Sequence, residues 1–287
     1  MNKKTSNAIL LLSCPDRKGI VAEVSHFIFA NNGNIIHSDQ HTDTEAGVHF
    51  MRVEWDLTDF DFPPSRIARA FAPLAEKFRM DWELYFSDTT LRTAIFVSKL
   101  DHCLYDLLWR IRAGELPTEV VAIVSNHPDL KPIADFFQIP FHVFEVTEST
   151  KREAEQKQLD LLNSLQVDLV VLARYMQILS PSFIASFQNR VINIHHSFLP
   201  AFSGSKPYQQ AFQRGVKLIG ATSHYATDEL DQGPIIEQDV ERVTHRDNIQ
   251  SFIEKGKNLE KKVLGRAVKL HLQHKVLVYN NKTMILD

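Results

Sequence analysis

Cysteine is scarce in this chain: two among 287 residues, Cys14 and Cys103, far apart and in no CxxC pair. That excludes a disulfide scaffold and points to two reduced thiols in a cytoplasmic protein. An excess of charge of either sign is also lacking. The 32 Lys and Arg nearly balance the 35 Asp and Glu, and a formal charge of −3 gives no general attraction to nucleic acid or an anionic membrane. No stretch approaches the ~20 apolar residues that cross a bilayer. The opening residues, Met1 to Ser6, lead into too short an apolar run for a secretory signal and show no cleavage pattern. Internal repeats and low-complexity tracts are missing. What is left, 44% hydrophobic and 23% charged, is ordinary for a globular protein of one large domain or two smaller ones.

The chain changes rhythm near residue 90. Before that point it reads strand, helix, strand, strand, helix, strand. An apolar strand over residues 8–13 meets a turn, Cys14 to Gly19, with Asp16 as the expected cap of the next helix. Ile20, Val21, Val24, Phe27 and Ile28 then fall at helical spacing. Strands over 35–43 and 48–57 flank a hairpin loop at 44–47, Pro63 and Pro64 open a helix through Phe78, and 82–86 closes as a strand. This βαββαβ order is the ferredoxin-like arrangement. The segment from Ser13 to Val21 resembles the first loop of ACT domains, a family that binds small metabolites, often amino acids, and often pairs its sheets between subunits. That resemblance implies an amino-acid effector near Asp16, Gly19, Asn34 and Ile35, and an even-numbered homo-oligomer. A dimerisation module without a ligand is the alternative.

The polar stretch Ser87, Asp88, Thr89 and Thr90 reads as a linker, so the expected division is 1–86, a linker at 87–92, and 93–287. In the second part short apolar strands near 93–97, 120–124, 141–144, 169–172 and 191–194 alternate with helices near 102–112, 129–137, 151–165 and 181–187. This predicts an α/β fold with a mostly parallel, Rossmann-like sheet covered on both faces. Two more strands follow at 217–225 and 234–243. A long amphipathic helix carries Ile249, Phe252, Ile253, Val263, Leu264 and Ala267 on its apolar stripe, and a terminal hairpin turns at Asn280 and Asn281. The lysines of that helix, with no aromatic or Gly-rich interleaving, read as a solvated face and not as an RNA-binding one.

Ligands of such sheets bind beyond the carboxyl ends of the strands. At one of those ends stands Asn193-Ile194-His195-His196-Ser197-Phe198-Leu199-Pro200. Alternate residues of a strand share a face, so Asn193 and His195 point the same way. An amide beside an imidazole there can grip a carbonyl and stabilise the oxyanion formed on attack. His196 is expected on the opposite face, behind the site or in the core. His224 either lines the pocket or does not. A metal held by His195, His196 and His224 is not expected, because the usual ligand spacing and cysteine partners are lacking. In the acidic loop Asp228, Glu229, Asp231, ahead of Gly233-Pro234, Asp231 is the carboxylate placed to take or relay a proton. Asp228 and Glu229 also read as solvated loop charges.

Asn193, His195, Ser197, Leu199-Pro200 and Asp231-Gln232-Gly233 together resemble the folate-dependent formyltransferase family over roughly residues 92–285. The resemblance implies 10-formyltetrahydrofolate as substrate, with no further cofactor, and Asn193, His195 and Asp231 as its catalytic residues. It also implies a folate pocket with one wall at Met176, Gln177, Ile178 and Leu179, where Met176 is equally readable as core. The other wall would be Ala226, Thr227, Asp228 and Leu230. Ribonucleotide formyltransferases of the family carry a Gly-rich phosphate loop after the first strand, where helix-terminal amides bind anions. Here that stretch, Ser98-Lys99-Leu100-Asp101-His102-Cys103, has no glycine and one acidic residue. The transfer-RNA-directed members add a basic C-terminal domain, for which this chain ends too early. An ACT-like domain in front, and the stretch Ser203 to Ala211, resemble the branch in which water is the acceptor. That branch releases formate, which supplies purine biosynthesis and balances one-carbon pools. Transfer to an amine acceptor is the alternative.

Overall fold

The computed structural model describes residues 6–201 and 207–287 and divides into two compact units. The first comprises residues up to Thr90 together with His274–Leu277 and Met284–Asp287; the second comprises Leu91–Gln273 and Val278–Thr283.

The first unit runs β1 (Asn7–Pro15), α1 (Ile20–Ala30), β2 (Asn34–Asp43), β3 (Val48–Asp56), α2 (Pro64–Phe78) and β4 (Asp81–Phe86). Its strands form one antiparallel sheet in the order β2-β3-β1-β4. Both helices pack their apolar stripes on it: Ile20, Val24 and Ile28 of α1 and Ile67, Phe71 and Phe78 of α2 meet Leu10, Leu12 and Trp55. Asp16 does not cap α1. The cap is Gly19 at φ 96°, a left-handed conformation that suits a residue without Cβ, and no side chain bonds the first turn. The Asp16 amide instead donates to Gly47 O at 2.8 Å, tying the first loop to the β2–β3 hairpin. His274, whose ring stacks on Tyr85 with centroids 3.7 Å apart and whose carbonyl accepts from Arg52 Nε at 3.0 Å, belongs to this unit. Those contacts are why the last hairpin does not fall wholly within the second unit, as a division into 1–86 and 93–287 has it.

The second unit contains β5 (Leu91–Val97), α3 (His102–Arg112), β6 (Thr118–Ser125), α4 (Lys131–Phe137), β7 (Phe141–Val143), α5 (Lys151–Ser164) and β8 (Leu169–Leu172). It continues with α6 (Pro181–Ser186), β9 (Val191–His195), α7 (Pro207–Arg214), β10 (Leu218–Tyr225), β11 (Ile235–Arg242) and α8 (Ile249–Leu272). The hairpin β12 (Val276–Tyr279) and β13 (Lys282–Ile285) ends the chain, turning on Asn280 and Asn281 at φ 45° and 58°. The seven-stranded sheet has the order β11-β10-β9-β8-β5-β6-β7, parallel from β9 to β7 and antiparallel at β10 and β11. All four residues of β8 are buried, as a central parallel strand covered on both faces requires. Strand order reverses between β5 and β8, and sheets of this kind take a ligand beyond the carboxyl ends of the strands at such a point. α8 packs on β10, β11 and α3 through Phe252, Leu259, Val263 and Ala267. Its N-cap, Asn248, accepts from Ser251 N at 2.9 Å. Of its lysines, Lys262 pairs with Asp239 and Lys255 with Asp247, while Lys262 and Lys269 keep exposed positions. Among the described residues no helix is long and apolar enough to cross a membrane. Residues 202–206, most of the first half of the stretch Ser203 to Ala211, and residues 1–5 lie outside the described ones.

Candidate active site

β9 delivers Asn193 and His195 to a cavity of about 250 Å3 at the carboxyl edge of the sheet. Their shared face follows from strand alternation. Asp231 reaches the same place from the loop between β10 and β11, at φ 58°, with Oδ1 3.2 Å from His195 Nδ1. The three residues expected to be catalytic therefore meet. His195 is buried, and its Nε2 lies 2.8 Å from Ser197 Oγ, whose own hydrogen goes to Ala201 O at 2.7 Å. Both ring nitrogens of His195 thus face oxygen acceptors, an arrangement that a doubly protonated ring satisfies.

His224 is the fourth member. β10 runs antiparallel to β9 with His224 opposite Asn193, and the register of β10 with β11 shifts at Ser223/His224. Such an irregularity re-aims a side chain. His224 Nδ1 lies 2.9 Å from Tyr225 O, so that nitrogen carries the hydrogen, and Nε2 is left to accept from Asn193 Nδ2 at 3.2 Å. The same Nε2 stands 3.7 Å from Asp231 Oδ1. Burial alone would raise the Asp231 carboxyl. The His195 hydrogen bond first, and the His224 imidazole beside it, outweigh that burial and hold the group far below the usual carboxylate range.

His196 also lines the cavity, against the expectation of an opposite-facing residue. β9 ends at His195, so strand alternation no longer governs the next side chain. Its ring sits 5.2 Å from that of His195 and 6.1 Å from that of Tyr208. Burial, and after it the Arg174 guanidinium, push its imidazole down to about 3, so it is neutral at physiological pH.

Of the residues expected to bind substrate, Met176, Gln177, Ile178 and Leu179 line one side of the cavity, and Ala226, Thr227 and Leu230 the other. Asp228 does not line it, whereas the neighbouring Glu229, equally exposed, does; both also read as solvated loop charges. In an irregular loop no alternation tells which of two adjacent carboxylates borders the cavity. Met176, Ile178 and Leu230 are 58%, 55% and 58% exposed, which leaves an apolar mouth open to a flat ligand. The Met176 amide is held by Ser98 Oγ at 3.0 Å, so the segment after β8 is braced by the residue after β5.

In the first unit Asp16 and Gly19 line a cavity of about 620 Å3 with Gln40, Thr42 and His49. Asn34 and Ile35 do not join them. Asn34 pairs with Asp56 and, through β3, with the Asn7 end of β1, whereas Asp16 follows Pro15 at the other end of that strand. The two pairs of residues lie at opposite ends of the sheet.

Comparison with known proteins agrees with this geometry. Residues 91–268 match the Formyl transferase family model and residues 8–75 the ACT domain model. A formyltetrahydrofolate deformylase of Synechocystis is 56% identical over 97% of this chain and 98% of its own length. The crystal structure of a formyltetrahydrofolate deformylase from Pseudomonas syringae superposes with a TM-score of 0.97 at 45% identity, covering 100% of this chain and 96% of that one. A glycinamide ribonucleotide transformylase from Symbiobacterium toebii superposes at 0.66 with 27% identity, over 71% of this chain and 98% of its own. Sharing its catalytic unit with the transformylases and its whole length with the deformylases, the chain belongs to the formyl transferase family and, within it, to the formyltetrahydrofolate deformylases.

Proposed function

We infer that the chain hydrolyses 10-formyltetrahydrofolate to tetrahydrofolate and formate, at the cavity where Asn193, His195, His224 and Asp231 converge. The observation that carries this is the contact of His195 Nδ1 with Asp231 Oδ1 at 3.2 Å, with Asn193 alongside on the same strand face. The pterin packs between the 176–179 wall and Leu230, with backbone amides of 176–179 at its polar edge. The formyl carbon then lies beside Asn193 and His195: the remaining N–H of the Asn193 amide donates to the oxyanion that grows as water attacks, and His195 does so from Nδ1, sharing that hydrogen with Asp231.

Water must lose a proton in that step. A carboxylate held as low as Asp231 is a weak base by itself. Asp231 therefore orients the water and holds the His195 ring through its Nδ1–H, and His224 Nε2, which carries no hydrogen, takes a share of the proton. As the C–N10 bond breaks, N10 takes a proton from the same network. Loss of one oxyanion donor removes about 3–4 kcal/mol of transition-state stabilisation. The proposal invokes no metal and no cofactor besides the folate substrate. The formate released supplies purine biosynthesis and balances one-carbon pools, in the cytoplasm. The cavity beside Asp16 and Gly19 is the proposed place for an amino-acid effector, glycine and methionine being the natural candidates, in an even-numbered homo-oligomer.

The test is formate release from 10-formyltetrahydrofolate with no acceptor added, wild type beside Asp231→Ala. Formate from the wild type alone supports a hydrolase using this site. Tight folate binding without formate from the wild type refutes it in favour of transfer to an amine, and equal turnover by a folded Asp231→Ala protein removes Asp231 from the mechanism.

A further inference from the structure

The crevice beyond the carboxyl ends of β5 and β8, where strand order reverses, is where a sheet of this kind takes a ligand. In this chain it is filled by protein. Glu260 of α8, 1% exposed, is engaged at both oxygens. Tyr208 donates its hydroxyl to Oε1 at 2.6 Å, and His102 Nε2 lies 2.7 Å from Oε2. Arg174 Nε stands 3.4 Å from Oε2, an ion pair rather than a hydrogen bond. His102 begins the helix after β5, Arg174 follows β8, and Tyr208 comes from α7. Gly256, one turn before Glu260, admits the tyrosine: a Cβ there would stand 2.1 Å from the Tyr208 ring. Burial would raise the Glu260 carboxyl, but His102, Arg174 and Tyr208 outweigh it and hold it below its ordinary value.

A buried ion cluster of this kind seldom exceeds well-packed apolar residues in stability, so folding alone does not account for it. As a metal site it is also poor. His102, Cys103 and Glu260 lie close together, but the carboxylate is already taken, and burial pushes the Cys103 thiol well up, away from the ligating thiolate. Its position is the informative property. Arg174 and His196 line the reaction cavity, and Tyr208 stands behind His196. Ser98, at the start of the loop after β5, is committed too: it donates to Asn126 Oδ1 at 2.6 Å and accepts from the Met176 amide.

We propose that Arg174, His102, Tyr208 and Glu260 are specificity-determining residues that fill the acceptor side of the cavity, so that water reaches the formyl carbon and a larger amine does not. This rests on the hydrolytic reading above. The two reactions differ only in the nucleophile. Water forms the new C–O bond of formate, and an amine would form the C–N bond of a formamide. In each the C–N10 bond breaks, the nucleophile loses one proton, and N10 gains one. Asn193, His195 and Asp231 serve both outcomes equally. The space beside the carbon does not.

The experiment partitions the formyl group of 10-formyltetrahydrofolate among water, hydroxylamine and glycinamide, measuring tetrahydrofolate, formate and the N-formyl products together. The proteins are wild type, Arg174→Gly and His102→Ala/Glu260→Gln. Glycine suits position 174, whose φ is 64°. Wild type is expected to transfer to hydroxylamine, which is little larger than water, but to give no N-formylglycinamide. Either variant is expected to form N-formylglycinamide in proportion to the amine, with the amine-to-water partition raised at least about tenfold, as one small change in a pocket can do. A product ratio does not depend on how much active protein survives, so a general loss of activity cannot imitate this. Three results overturn the proposal: wild type transferring as readily to glycinamide as to hydroxylamine, wild type transferring to neither, or both variants folding with formate still equal to tetrahydrofolate. Should the variants not fold, the wild-type contrast between the two amines decides. No formate from the wild type without amine is a separate outcome, and it refutes the hydrolytic reading instead.

Discussion

Replacing Gly233 by alanine should disable catalysis while leaving most of the fold intact. A Cβ at this position would stand 1.7 Å from the Tyr225 carbonyl oxygen, whereas ordinary contact begins at 3.4 Å. The two backbones would have to part by about as much again. Neither can yield freely. Tyr225 N donates to Pro234 O at 2.9 Å, and the Tyr225 carbonyl itself receives His224 Nδ1 at 2.9 Å. Asn281 Nδ2, from the tip of the last hairpin, holds Gln232 O at 2.9 Å. Asp231, two residues from the substitution, moves with the loop, and the carbonyl that fixes the tautomer of His224 is disturbed as well. A displacement of ~1 Å at a catalytic group costs about 100-fold in rate, or about 2.7 kcal/mol. We therefore expect kcat for formate release to fall by about 100-fold or more. KM should change less, because the 176–179 wall stands on a different connection. Steady-state kinetics with circular dichroism on the same samples measure this. A folded Gly233→Ala protein within about threefold of wild-type kcat would show that the loop tolerates the shift and that Asp231 does not need its observed position.

Three further outcomes follow from single contacts. Asn248→Ala removes the side-chain cap of the 24-residue helix α8 and should cost about 1 kcal/mol by urea unfolding; an unchanged midpoint would deny the cap any weight. The Asp231 carboxyl is held low in the fold, so its stabilising contribution is fully present above the unfolded value near 3.9 and is lost as pH falls through and below it. The urea-midpoint difference between wild type and Asp231→Asn should accordingly shrink from pH 6 to pH 3, and a difference that grows in acid would contradict the ion pairing described. Burial raises both thiols, so Cys14 and Cys103 should resist a disulfide reagent in the native protein and both react in urea; rapid native labelling of either would mean that its site opens.

Periodicity and breakers made the elements legible in the sequence. Pro63 and Pro64 mark the start of α2, the apolar runs mark β8 and β9, and Asn280 and Asn281 mark the last turn. Asn193 and His195 were readable as a pair because strand alternation is local. Features set by other segments were not. His224 becomes a site residue through its antiparallel register with Asn193, and no signal within β10 states that register. Asp16 looked like a cap because its residue type suits one, but the chain uses the left-handed Gly19. Asn34 and Ile35 looked close to the first loop until strand direction placed them at its far end. Helix α7 follows a Pro/Gly/Ser-rich segment and was not distinguishable from it. Glu260 and His102 are separated by 158 residues, and a glutamate in a lysine-rich helix carries no mark of burial.

The residues proposed to be catalytic and the cluster proposed to bound the acceptor side are built on different logic. Asn193, His195, His224 and Asp231 come from two neighbouring strands and the loop beyond them, with hydrogen bonds that constrain one another: the Tyr225 carbonyl fixes His224, which orients the Asn193 amide, while Ser197 and Asp231 fix the two sides of His195. Such a set changes little without losing its chemistry, because each donor is aimed by another. Glu260, His102, Arg174 and Tyr208 come from four separate elements and touch the reaction cavity only through Arg174 and the ring of His196. Their residue types can vary without moving any group that acts on the formyl carbon. A fold arranged in this way can change its nucleophile by repacking one side of a crevice, and the choice between hydrolysis and transfer then belongs to packing and not to the catalytic groups.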